Sequence, residues 1–247
     1  MSKKFWFLSL LAVIASFFGG FFMANAFNRT ELSSLRTEND RLKASSPESA
    51  DSTSESSIGD NELTQKISEA DQHPDNFEYQ KNLGLALYKY ASMKHDTSLL
   101  KQSARILERA AGLRSNDLDV VIGLGNAHFD LGYFGKDNAE LVQSRNYYTR
   151  ALSLRANDVE VTTDLGLSYF LVDPPEDQKA IAEFQKSLKI DPKHEKTLEF
   201  MVQSLIRLNR LDDAENYLAQ LRVADPSSDA INGLAAKIEQ TRSLSAK

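Results

Sequence analysis

The chain has no cysteine among its 247 residues. Disulfide staples, thiolate metal sites and cysteine nucleophiles are therefore excluded, while the compartment stays open, because reducing and oxidising spaces both tolerate cysteine-free chains. Histidine is scarce: His73, His95, His128 and His194 are the only four. None stands three or four positions from another, so the helix or turn spacing of a metal site is missing. Excess positive charge is also lacking. The formal net charge is −6, and Lys3 and Lys4 precede an uncharged run over residues 5–27, so the remainder carries −8. A general nucleic-acid binder needs a basic face to displace counterions, and a membrane-surface module needs a polybasic one; neither is present. No phosphate loop, nucleophile elbow or dinucleotide fingerprint occurs. The Asn116-Asp117 and Asn157-Asp158 steps suit turn initiation and helix capping better than catalytic pairs, since they recur at one repeat position. No enzyme activity, cofactor or metal is expected.

What the chain does contain begins with an apolar segment, Phe5 to Phe27, FWFLSLLAVIASFFGGFFMANAF. As a helix it would span roughly 34 Å, enough for the hydrocarbon core of a bilayer. Lys3 and Lys4 lie before it and Arg29 is the first base after it, which favours the N-terminus inside and the body outside. Two readings stand: an uncleaved single-pass anchor over 1–27, or a signal peptide cleaved after Ala26, because Ala24-Asn25-Ala26 has the small-x-small pattern. Both export the rest of the chain. Residues 28–44 follow as a short stalk. Leu32, Leu35, Asn39 and Leu42 have the 3, 4, 3 spacing of a heptad, so this helix either stands alone or makes a homodimer through Leu32–Leu42. Residues 45–60 are Ser-rich and acidic, with five acids and no base from Ser45 to Glu62; such a composition reads as a flexible linker.

The remainder, 61–243, is periodic. NLGLALY from Asn82, GLGNAHF from Gly123 and DLGLSYF from Asp164 align, with Gly84, Gly125 and Gly166 each 41 residues apart. ILERAAGLRSND, YYTRALSLRAND and EFQKSLKIDPKH follow in turn, with Ala110, Ala151 and Ser187 as matching small residues. Small residues on both arms let two antiparallel helices approach closely. The unit is thus a helical hairpin, and hairpins stack because none buries its apolar face alone.

These residues resemble the tetratricopeptide repeat (TPR), a 34-residue unit with Leu-Gly on helix A, an aromatic three later, Ala on helix B and Pro after it. Leu165, Gly166 and Tyr169, then Ala180, Phe184, Ser187 and Pro192, carry the resemblance in the third unit. Met201, Val202 and Leu205, then Ala214, Leu218, Leu221 and Pro226, carry it in the fourth. The third unit has a two-residue insertion around Asp173-Pro174-Pro175, and the first two have seven extra residues between their arms. The expected fold is all-α: a TPR helical-hairpin solenoid of about four repeats with capping helices over Asn61–Ala70 and from Ser227 to about Ser243, behind the transmembrane helix and linker.

The resemblance implies that helix A lines a concave groove for a protein or peptide ligand. The positions it assigns to that groove are Lys81, Leu85 and Tyr88; Ile122, Asn126 and Phe129; Thr163, Leu167 and Phe170; Gln203 and Ile206. Tyr88, Phe129 and Phe170 fit an apolar ligand stripe and inter-helix core equally well. The carboxylate-binding mode of chaperone-docking relatives is disfavoured, because Ile122 replaces the paired Lys and Glu160 and Asp164 would repel a carboxylate. The implied function is a membrane-anchored scaffold on the extracytoplasmic side, in a bacterial periplasm. Repeat subunits of cytochrome c maturation that present apocytochrome, and pilus or envelope-assembly scaffolds, share this plan.

Overall fold

The computed structural model describes residues 54–245, with side chains from Asn61 onward. Gly59–Lys247 form one compact unit. The expected membrane segment 5–27, the stalk 28–44 and residues 45–53 of the linker lie outside the described residues. Among the described residues there are ten helices and no strand: α1 (Ser54–Gln72), α2 (Phe77–Lys94), α3 (Thr97–Leu113), α4 (Leu118–Gly135), α5 (Asn138–Leu154), α6 (Val159–Leu171), α7 (Asp177–Ile190), α8 (Glu195–Arg207), α9 (Leu211–Ala224) and α10 (Ala230–Ser245). None of these helices is long and apolar enough to cross a membrane. Residues 54–60, expected in the linker, instead open α1. Leu63, Ile67 and Ala70 anchor that helix on Leu83, Leu87 and Ile106. Once a turn is fixed, extension adds one hydrogen bond per residue ordered.

Four hairpins follow, α2/α3, α4/α5, α6/α7 and α8/α9, and α10 closes the stack with Ile231, Leu234 and Ile238 buried on the last of them. Side-chain oxygens of Asn76, Asp117 and Asp158 accept from the N–H groups of Tyr79, Val120 and Val161 at 3.0–3.1 Å and start the A helices α2, α4 and α6. The Asn-Asp steps are therefore caps.

Each central glycine lies where the two arms touch. A Cβ on Gly84 would stand 2.7 Å from Leu107, on Gly125 2.6 Å from Tyr148, and on Gly166 2.5 Å from Phe184. This refines the expected pairing of small with small. Glycine on the A helix makes room for a large residue on the B helix, while Ala110 and Ala151 pack toward Val120 and Leu124, and Val161 and Leu165, of the next unit.

The seven extra residues of the first two units form no loop. They lengthen the arms: α2 and α4 have 18 residues and α3 and α5 have 17, against 13 for α6 and α8 and 14 for α7 and α9. The turns at these tips are tight. His95 (φ 55°) and Lys136 (φ 52°) adopt the left-handed conformation, and Asp96 and Asp137 cap the returning helix. The third unit uses the longer connection Val172–Glu176, tied to the second by Asn138, which donates to the Asp173 carbonyl at 2.7 Å and accepts from its N–H at 3.1 Å.

Every A helix also meets the A helix of the next unit, whereas each B helix reaches the next unit through that unit's A helix. The A row is consequently the closely spaced inner wall of the solenoid.

Candidate functional site: the inner wall

The eleven groove positions divide along the chain. In the first two units they are half-buried. The Lys81 ammonium pairs with Asp117 at 2.9 Å and Asp119 at 2.7 Å. Burial draws the Lys81 pKa down, but the hydrogen bonds to Asp119 and Asp117 outweigh it, and the net shift is upward. Leu85 packs on the cluster of Phe77, Leu107 and Leu124. Tyr88 and Ser92 hydrogen-bond the carboxyl of Asp130, and burial pushes the Tyr88 phenol far above its usual range. Ile122 and Phe129 rest on Tyr148, whose hydroxyl reaches through to donate to Asn126 Oδ1 at 2.9 Å.

In the last two units most of the row is sealed, so the expectation of a ligand-facing stripe fails for Thr163, Leu167, Phe170 and Ile206, all buried. Phe170 is 8% exposed. The Arg207 guanidinium lies 3.5 Å from its ring centroid and donates to its carbonyl at 3.1 Å, and Phe200 meets it edge-on at 5.1 Å. Arg207 is held in turn by Asp177 at 2.6 Å. Gln203 stays half-buried and donates to Glu199 at 3.0 Å.

Thr163 belongs to a polar joint between the third and fourth units. Its hydroxyl bonds Ser187 Oγ at 2.8 Å and Thr197 Oγ1 at 2.7 Å; Thr197 bonds His194 Nδ1 at 2.6 Å, and His194 Nε2 meets Glu160 at 3.0 Å. Hydroxyl, imidazole and carboxylate in series resemble a hydrolytic relay, but Ser187, Thr163 and Thr197 are fully buried and offer no substrate an approach. The joint satisfies polar groups at a packed seam. His128 likewise packs: it is buried, stacks on Tyr147 at 5.3 Å and meets Glu140 at 2.6 Å. Among the described residues no group of three His, Cys, Asp or Glu is placed to hold a metal ion.

Two inner-wall carboxyls are partly desolvated, Asp164, which the sequence marked as repelling a ligand carboxylate, and Asp130, which it did not single out. Burial raises the pKa of Asp130, and Asp164 raises it further. Burial also raises that of Asp164, against the pull of Lys196 at 2.7 Å. The signal for Asp130 was its register, one residue past the row aromatic Phe129.

The tetratricopeptide-repeat family profile matches residues 178–238, from α7 into α10. Among solved structures, the crystal structure of MamA has a TM-score of 0.55 and 18% identity, covering 73% of this chain and 97% of that one. MamA 41-end from Desulfovibrio magneticus RS-1 gives 0.55 and 16%, covering 69% and 87%. TTC0263, a thermophilic TPR protein in Thermus thermophilus, gives 0.50 and 16%, covering 76% and 94%. Identities this low speak to fold alone. No curated protein matches the chain. Residues 178–238 thus carry a tetratricopeptide-repeat match within an all-helical solenoid of TPR type.

Proposed function

We propose that this protein is a non-enzymatic scaffold that holds a protein or peptide segment against the inner wall of its first two hairpins, and that Phe5–Phe27 anchors it in a membrane with the solenoid outside the cytoplasm. The observation that carries the docking face is the row Leu85, Tyr88, Asn126 and Phe129, half-buried and lining the wall with both apolar and polar groups. Ligands of this kind gain affinity from apolar anchors and orientation from a few polar contacts. The membrane placement rests on the hydropathy and flanking charge of the N-terminal run. The narrower reading, presentation of an apocytochrome or of an envelope-assembly component, rests on family resemblance.

A photo-reactive phenylalanine analogue at Tyr88 or Phe129 of the full chain tests the docking face. Crosslinks to a partner from these positions, and not from exposed Lys186 on α7, support it; crosslinks from Lys186 alone overturn it. The identity of the crosslinked protein decides the narrower reading. An export-dependent reporter fused at Lys247 tests topology, and an inactive reporter on an expressed fusion reverses it.

A further inference from the structure

The row aromatic of the third unit is part of a three-component arrangement. Phe170 supplies a ring, Arg207 lies over it at 3.5 Å, and Asp177 holds the guanidinium at 2.6 Å. A second aromatic on the same helix repeats the plan: Arg145 lies 4.0 Å from the centroid of Tyr169 and pairs with Glu176 at 2.9 Å. Cation, ring and counter-ion together suit a partly desolvated site, because the ring quadrupole and the carboxylate both attract the cation.

Arg207 stands five residues past Val202, the fourth unit's equivalent of the central glycine, and covers the aromatic of the preceding unit. The residue in the same register of the second unit, five past Gly125, is Asp130, and it abuts Tyr88 of the preceding unit. A carboxylate therefore occupies the place of an arginine. Among the described residues no cation lies over Tyr88 or Phe129, and none is within ion-pair distance of Asp130. Tyr88 and Ser92 bond one side of the Asp130 carboxyl, while its Oδ2 is shielded from solvent and has no hydrogen-bond partner among the described residues. The wall's lysines are engaged elsewhere, Lys81 by Asp117 and Asp119 and Lys196 by Asp164, and the one basic group that acts on Asp130, His95, stands beyond ion-pair distance and packs on Phe134 at 4.4 Å. Glu199, on the same wall, is bonded by Gln203 and has no cation of its own. Lys89, the counterpart of Asp130 one unit earlier, is exposed.

We infer that the open half of the inner wall takes a partner-protein segment carrying a lysine or arginine beside an apolar side chain, the cation lying over Tyr88 and Phe129 where Asp130 offsets its charge. This deepens the docking-face reading and rests on it. The aliphatic stem of the basic residue covers the aromatic rings, the neighbouring apolar side chain meets Leu85, and an acidic segment is repelled by Asp130 and Asp164.

The test uses the full chain, purified in a neutral detergent and immobilised, panned with a phage-displayed random dodecapeptide library. Enriched peptides are then measured by fluorescence anisotropy, alongside versions with the basic residue replaced by norleucine. The expected result is enrichment of Lys or Arg within two positions of an aliphatic or aromatic residue, and a loss of about tenfold or more on replacement by norleucine. Asp130→Asn shows a similar loss with a melting temperature no lower than the parent, so the loss is not unfolding. Asp130→Arg, which supplies the cation internally, abolishes selection for basic peptides. Peptides that bind without a basic residue, or that bind Asp130→Asn unchanged, overturn the charge preference; if Tyr88→Ala still removes their binding, the docking face survives. Failure to enrich any peptide overturns both.

Discussion

Gly125 offers the sharpest test of the hairpin geometry. A Cβ there would lie 2.6 Å from Tyr148 Cε1 and 2.7 Å from Cδ1. The ring cannot swing away cheaply, because Tyr148 is 1% exposed, its hydroxyl is committed to Asn126, and it shares a cluster with Val161 and Leu165 of the next unit. Gly125→Leu must displace that ring, and overpacking of this kind costs about 1–3 kcal/mol or more. For a domain of this size each kcal/mol shifts the melting temperature by about 2–4 °C, so a fall of roughly 2–12 °C is expected. Tyr148 joins units two and three, and stability in a solenoid depends on nearest-neighbour interfaces, so the transition should also broaden. Gly135 is the control. It ends α4 inside helical geometry, no glycine among the described residues has positive φ, and a Cβ there meets nothing within 4 Å. Gly135→Leu should be neutral or gain up to about 1 kcal/mol from helix propensity. Thermal melts followed by far-ultraviolet circular dichroism compare the two. Equal losses would refute the assignment of Gly125 to the inter-arm contact.

Phe170→Ser should cost about 3–5 kcal/mol by opening the cluster around Leu198, Met201 and Ile206, and a melt unchanged from the parent would return Phe170 to the ligand face. Asp130→Asn should raise the melting temperature at pH 7. Burial lifts the Asp130 pKa above 3.8, so the folded chain holds the proton more tightly than the unfolded one, and ionisation opposes folding above the folded-state pKa. The advantage of Asn over Asp should shrink as pH falls through that value and level off below the unfolded one; an advantage independent of pH would assign it to something other than charge. Residues 54–247 should fold without the rest of the chain, since α1 buries Ala70 against Leu87 and Ile106, and a coil-like spectrum would contradict that.

The 41-residue spacing of Gly84, Gly125 and Gly166 made the hairpins legible because a close inter-helix contact admits little besides glycine at that point. The fourth unit has Val202 in place of that glycine, and its core positions were legible from the resemblance to the 34-residue repeat instead: Met201, Val202, Leu205, Ala214, Leu218 and Leu221 are all buried. What the sequence did not show is which row positions a neighbouring unit covers. Phe129 and Phe170 hold equivalent places, yet the second is sealed because Arg207 and Phe200 arrive from the following hairpin. That outcome depends on residues thirty or more positions away. The start of α1 was missed for a different reason: Ser-rich composition argues against helix, and the anchoring turn around Leu63 and Ile67 overrides it. The seven extra residues in the first two units were visible as a length, but only helix continuation with a left-handed residue at each tip shows how they are absorbed.

Those two tips have a consequence for how the chain can change. At both, the capping aspartate sends its N–H back five residues into the outgoing helix, Asp96 to the Ala91 carbonyl at 2.9 Å and Asp137 to the Gly132 carbonyl at 3.0 Å. The turns are interchangeable parts. Excising residues 96–136 would join His95 to Asp137 and recreate the same turn between α2 and α5, leaving a solenoid one hairpin shorter with its joints in register. Duplicating the same stretch would lengthen it. The third unit lacks this freedom, since its connection is keyed to Asn138 by two reciprocal bonds. The inner wall is thus built at one end from cassettes that recombination can add or drop, and closed at the other by a hairpin fitted to its neighbour.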